Sequence, residues 1–225
     1  MTSRSTETLR RRSLASSVRV IALAAGLLLL LGACSAGASP LPTIGPAPSP
    51  STGPGPAADC PASQPPALPA GETRTVEIRT AKGSITLKIE ADLGPLAAGN
   101  FVALAACGYY KGVVFHRLVP GFVIQGGDPT GTGGGGPGYE FANDPVAVPY
   151  TRGVVAMANA GPGTNGSQFF IVLTDSDLAP EYSVFGRVIA GMDVVDAIAA
   201  MPNSGGRANA ALEPVAMEAL TVSNP

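Results

Sequence analysis

From Thr73 onward, Gly or Pro interrupts the chain every few residues, and the apolar runs between them are short and alternate with period two. That pattern leaves room for strands and almost none for long helices. In TRTVEIRT (73–80) Val76 and Ile78 alternate with Glu77 and Arg79, and in SITLKIE (84–90) Ile85, Leu87 and Ile89 share one face. Between them Gly83 supplies the positive φ that a hairpin turn needs. Six more short runs read as strands: VFHRLV (114–119), FVIQG (122–126), VVAMAN (154–159), QFFIVL (168–173), VFGRVI (184–189) and VAMEALTV (215–222). Only two segments carry helical spacing. One opens on Pro95, where a first helical residue tolerates proline, places Ala97, Phe101, Leu104 and Ala105 on one stripe, and has Gly108 to cap it. The other runs from Met192 to Met201 and is stopped by Pro202. Eight short strands, Gly and Pro turns and two helices predict a mainly β fold, a closed eight-stranded antiparallel barrel capped by two α-helices.

Upstream, the composition changes twice. Arg10, Arg11, Arg12 and Arg19 precede an apolar run from Val20 to Leu31, the order of an export signal. The run ends in Leu31, Gly32, Ala33 and Cys34, which resembles the lipobox of bacterial lipoproteins. That resemblance implies cleavage before Cys34 and acyl chains on the new terminal cysteine, enough anchors for stable membrane attachment. An ordinary signal peptide or an uncleaved anchor are the other readings, and the paired arginines leave Sec and twin-arginine export both open. Residues 35–71 are dominated by Pro, Ala, Gly and Ser, with too little apolar surface to offset the entropy of folding. The expected plan is a signal over 1–33, a lipidated Cys34 with a disordered spacer to 71, and one folded domain over 72–225.

Charge and cysteine usage exclude several functions. Cleavage would remove five of the 14 bases and one of the 16 acids, leaving nine against fifteen and a net charge of −6. With no basic cluster, the chain lacks the footprint that nucleic-acid binding requires. One histidine and three scattered cysteines supply no zinc pattern, so no metal is expected. With Cys34 assigned to lipid, Cys60 and Cys107 are left either as a disulfide suited to an oxidising compartment or as two free thiols.

Two segments carry the chemistry: FHRLVPGFVIQGGD (115–128) and MANAGPGTNGSQFFI (157–171). In that order they resemble both signature blocks of the cyclophilin-type peptidyl-prolyl isomerases, and the resemblance extends from Thr73 to Val222. It implies an eight-stranded barrel, a groove for proline-containing polypeptides, no cofactor and a monomer. Arg117 matches the family's catalytic arginine, and Gln125 the glutamine that positions it. Phe122, Val123, Phe170 and Leu178 match the apolar walls of the proline socket, with Tyr182 where the family usually has histidine. Asn159, with Ala158 and Ala160, matches the strand that grips the peptide backbone, and Gln168 adds a polar contact. The chain departs from the family most in TDSDLAPEY (174–182), which is compressed, and in having no tryptophan.

The residue types that the resemblance singles out suit the reaction it implies. Turning an Xaa-Pro bond breaks amide resonance and forms no covalent bond, so a site needs a hydrogen-bond donor at the twisting amide, an apolar socket and a grip on the backbone. His116 has no nucleophile or orienting acid beside it and the reaction transfers no proton, so it is expected to be structural. GTGGGGPG (131–138) lacks the Gly-Lys-Ser/Thr of a phosphate cradle and is expected to be a flexible loop beside the groove. A non-catalytic peptide-binding module and a structural surface lipoprotein are the alternatives on the same fold.

Overall fold

The first hairpin forms where the alternation places it. In the computed structural model, which describes residues 59–224, β1 (Thr73–Thr80) pairs antiparallel with β2 (Gly83–Glu90), from Thr73 opposite Glu90 to Thr80 opposite Gly83. Gly83 takes φ +128°, a value other residues avoid. The chain continues through α1 (Pro95–Ala106), β3 (Val114–Val119), β4 (Val123–Gly126), β5 (Val154–Met157), β6 (Phe169–Val172), β7 (Val184–Ala190), α2 (Met192–Ala199) and β8 (Ala210–Ser223). The strands join in the order β1-β2-β7-β5-β6-β4-β3-β8, and β8 closes the barrel by pairing with β1 on one side and β3 on the other. The expected fold class is the observed one. The export signal and Cys34 lie outside the described residues.

Inward faces make the core. Val76, Ile78, Ile85, Leu87 and Ile89 are wholly buried, as their shared parity requires. Phe101 of α1 is the hub: its ring centroid lies 5.3 Å from Tyr110, 5.2 Å from Phe169 and 5.0 Å from Phe185. Pro95 opens α1 as expected, but the N-terminal cap comes from far along the chain. The Asp144 carboxylate accepts the N–H groups of Leu96 (3.0 Å) and Ala97 (2.9 Å), satisfying two of the orphan donors at a helix start. β8 begins five residues earlier than the alternation suggests. Between Ala210, opposite Arg117, and Val215, opposite Phe115, it bulges away from β3, and Pro214 sits in that stretch where it breaks no ladder bond.

The spacer does not run loose to residue 71. Its end lies on the barrel: Cys60 is disulfide-bonded to Cys107 just past α1, Leu68 joins the core, and the Leu68 N–H donates to the Pro95 carbonyl at 2.9 Å. Gly99 makes this close approach possible, since a Cβ there would stand 2.2 Å from the Pro66 carbonyl oxygen. Composition hides this contact because it is made by backbone against a glycine, in a proline-rich segment that has little conformational freedom to lose. The disulfide spans 47 residues of sequence, long enough for a large cut in unfolded-state entropy. Replacing Cys60 and Cys107 together by Ser is expected to lower the unfolding free energy by about 2–4 kcal/mol, measured by denaturant titration.

Candidate active site

A single irregularity in β3 creates the site. Phe115 and Leu118 both belong to the core although they are three residues apart, which strict alternation forbids. The register slips between Phe115, opposite Gly126, and Arg117, opposite Gln125. This bulge turns Arg117 onto the outer face, level with Gln125. Bulges commonly re-aim side chains in this way. Gln125 in turn faces Phe170 on β6, and Phe170 faces Ala156 on β5. Four strands thus present one row of side chains outward. Alternation sends Phe169 inward to Phe101 and Phe170 outward, into a second apolar cluster with Val123.

The polar members of the row brace one another. Arg117 Nη1 donates to Gln125 Oε1 at 3.2 Å, and Gln125 Nε2 donates to Gln168 Oε1 at 2.9 Å. Gln168 Nε2 donates to the carbonyls of Gly133 (3.0 Å) and Gly135 (2.9 Å). The chain of amides fixes which end of Gln125 meets the guanidinium. No carboxylate pairs with Arg117 among the described residues, so most of its N–H donors remain free in the cavity it lines.

That cavity has a volume of about 230 Å³. Phe122, Val123, Phe170, Leu178 and Tyr182 form its apolar walls, and Arg117, Gln125, Ala158 and Asn159 its rim. The Phe170 and Tyr182 rings meet edge to face with centroids 5.6 Å apart. Ala160 and Gln168 lie instead in an adjoining cavity of about 510 Å³, which shares Gln125, Ala158 and Asn159 and is bordered by the glycine-rich loop. The eleven residues singled out in the sequence therefore occupy two connected hollows.

Asn159 offers its backbone to the cavity. It lies just past the end of β5, and among the described residues neither its main-chain N–H nor its carbonyl is hydrogen-bonded. An extended peptide can pair with both. Its side chain is already engaged, donating to Asn165 Oδ1 (3.2 Å) and to the Glu181 carbonyl (3.0 Å). Gln168 is likewise a brace, because its amide is taken up by Gln125 and the loop.

The glycine-rich loop, expected to be flexible, is tied down through residues 130–135. The buried Asp128 carboxylate accepts the N–H groups of Thr130 (2.7 Å), Thr132 (3.0 Å) and Gly133 (2.6 Å). Gly135 comes so close that a Cβ would lie 2.1 Å from Asp128 Oδ1. Burial alone would raise the Asp128 pKa, but hydrogen bonds led by those from Thr130 outweigh it and hold the carboxyl below its ordinary value. An aspartate directly ahead of a Thr/Gly-rich turn signals such self-bonding, so this anchor was legible in the sequence.

His116 sits at the bulge, 7% exposed, with no hydrogen bond to either ring nitrogen among the described residues. Burial lowers its pKa below the ordinary 6.5 and Arg117 adds to this; Asp128 and the nearby Val114 backbone, too poorly aligned to count as a hydrogen-bond partner, oppose it. A histidine that binds its proton less readily when folded stabilises nothing above the unfolded pKa and favours unfolding below it. Stability should therefore fall as the pH drops from about 6.5 toward the depressed folded pKa. Because the chain has one histidine, His116→Phe should remove that component from the pH profile of thermal unfolding.

Comparison with known proteins agrees with this geometry. Residues 75–222 match the family model described as cyclophilin type peptidyl-prolyl cis-trans isomerase/CLD. Peptidyl-prolyl cis-trans isomerase A of Mycobacterium tuberculosis is 41% identical over 174 residues, covering 67% of this chain and 93% of that protein. The peptidyl-prolyl cis-trans isomerase-like 3 of Dictyostelium discoideum is 46% identical over 134 residues, covering 57% of this chain and 83% of its own. Among solved structures, a cyclophilin type peptidyl-prolyl cis-trans isomerase of Cryptosporidium parvum superposes with a TM-score of 0.63 at 36% identity, over 68% of this chain and 99% of that one. The same Cryptosporidium protein solved in the presence of the dipeptide Ala-Pro gives 0.62 at 35% identity, over 67% and 99%.

Proposed function

This chain belongs to the cyclophilin-type peptidyl-prolyl cis-trans isomerases, and from that premise we propose that it turns Xaa-Pro bonds in exported proteins outside the cytoplasm, anchored to a membrane by lipid on Cys34. The observation that carries the reading of the site is the Arg117 guanidinium, braced by Gln125, with no carboxylate partner among the described residues, and set on the rim of an apolar socket.

Rotation about an amide C–N bond faces a barrier of about 18–20 kcal/mol because the nitrogen lone pair is delocalised into the carbonyl. As the bond twists, the nitrogen becomes pyramidal and regains that lone pair. Arg117 then has a stronger acceptor at the imide nitrogen than the planar ground state offers, and only such differential binding accelerates the step. Phe122, Val123, Phe170, Leu178 and Tyr182 take the ring out of water. Desolvation also strengthens the Arg117 contact by lowering the local dielectric. The unpaired main chain of Asn159 holds the residues flanking the proline, so that twisting is confined to one bond. Backbone pairing of this kind selects little sequence, which suits clients that are unfolded or flexible.

The extracytoplasmic setting rests on the export-type N-terminus, the cysteine that ends it, and a Cys60–Cys107 disulfide of the sort that persists in oxidising compartments. A proline-rich spacer between Cys34 and Cys60 would hold the barrel clear of the bilayer.

Magnetisation exchange between the cis and trans forms of a short Ala-Pro peptide measures the activity directly. A charge-assisted hydrogen bond is worth about 1.5–3 kcal/mol, so Arg117→Ala should lower kcat/KM about ten- to a hundredfold while peptide binding persists. Unaccelerated exchange by the wild-type protein would instead leave a peptide-binding module. For the anchor, Cys34→Ser should move the protein from the membrane to the soluble fraction, and its retention would rule out lipid on that cysteine.

A further inference from the structure

The loop 174–182 supplies two walls of the socket, Leu178 and Tyr182, yet contains no regular secondary structure. Something outside it must hold those walls. We propose that Tyr150 is the positioning residue that sets the proline socket, acting through the backbone of Tyr182.

Three observations place it. The Tyr150 hydroxyl donates to the Tyr182 carbonyl at 2.9 Å and accepts the Tyr182 N–H at 3.0 Å, so one oxygen satisfies both main-chain groups of a socket residue. At the other end of the loop, the Tyr150 carbonyl accepts the Ser176 N–H at 3.0 Å. Between these contacts the Tyr150 ring lies against both aromatic walls, 6.5 Å from Phe170 and 6.3 Å from Tyr182 between centroids. Tyr150 is itself 2% exposed and does not line the cavity. It grips the loop at its start and its end and never meets the substrate.

The carbonyl just before Tyr182 is also held: Glu181 accepts from Asn143 Nδ2 (2.6 Å) and Asn159 Nδ2 (3.0 Å). That leaves Tyr182 pinned by its main chain, while its hydroxyl makes no hydrogen bond among the described residues and its ring is presented to the cavity. The braced Arg117–Gln125–Gln168 chain shares no hydrogen bond with Tyr150. Tyr150 therefore governs the shape of the socket and leaves the donor at the twisting bond untouched.

The inference rests on the isomerase reading, and one set of measurements separates the two. Tyr150→Phe keeps the ring and removes the hydroxyl. With the full chain and an Ala-Pro tetrapeptide, KM should rise about five- to tenfold, the worth of a hydrogen bond lost from a preorganised site, with kcat within about twofold of wild type. In wild type the Tyr182 amide should exchange slowly with solvent deuterium, since Tyr150 is its acceptor, and the variant should expose it. Unchanged KM, a fall confined to kcat, or rapid exchange of the Tyr182 amide in wild type would each overturn the proposal. The last measurement needs no variant, so it holds even if Tyr150→Phe folds poorly. Wild-type protein without isomerase activity would instead defeat the reading on which the inference rests.

Discussion

Closure of the sheet between β1 and β8 is the constraint on which everything else depends. A sheet of strands this short has edges to protect, and joining the last strand to the first removes them. Closure also gives every strand an inside and an outside. The inside is filled by Phe101, Tyr110, Phe115, Phe169 and Phe185 with the aliphatic residues of β1 and β2. That leaves the outside of β3, β4, β6 and β5 as a stiff platform. Side chains on adjacent strands of such a platform are held at fixed spacing, as the role proposed for Arg117 requires.

The platform is made asymmetric by small departures from regularity. The bulge at His116 puts Arg117 outside and leaves an imidazole buried with no hydrogen-bond partner among the described residues, a local cost beside the outward-turned arginine. Several polar groups beside the site satisfy one another. Asp144 caps α1 and, through its own N–H, donates to Ser183 Oγ at 2.7 Å. Ser183 also accepts from Asn165, which meets Asn143 and Asn159. A network of this kind ties the helix start, the backbone-gripping segment and the socket loop together. Its members hold backbone in place, while Arg117 and the main chain of Asn159, unpaired among the described residues, stay open to the cavity.

Much of the fold could be read from alternation and punctuation. The β1–β2 hairpin, both helices and seven of the eight strands fall within about two residues of their expected places, because each is a local pattern with a Gly or Pro at its boundary; β8 starts five residues early. The site residues could be named only because their motifs resemble a family. Without the motif, Arg117 is one arginine among several and Phe170 a core aromatic. The ties on the glycine-rich loop were overlooked because glycine content speaks to freedom in the unfolded chain, while Asp128 supplies the contacts in the folded loop. The spacer's attachment to α1 went unseen for a similar reason: it depends on what Gly99 lacks.

What the sequence determined by itself was whatever depends on near neighbours: strand parity, turn positions, helix starts and the order of the two blocks that carry Arg117 and Asn159. What only the tertiary structure decided was whatever depends on residues far apart in the chain. The Asp144 cap on α1, the grip of Tyr150 on Tyr182 and the joining of Cys60 to Cys107 are separated by 48, 32 and 47 positions. No periodicity encodes such distances. They are set by barrel closure, which brings the loops between strands together at its ends and sides, and there a single hydroxyl or carboxylate can satisfy backbone that the local sequence leaves open.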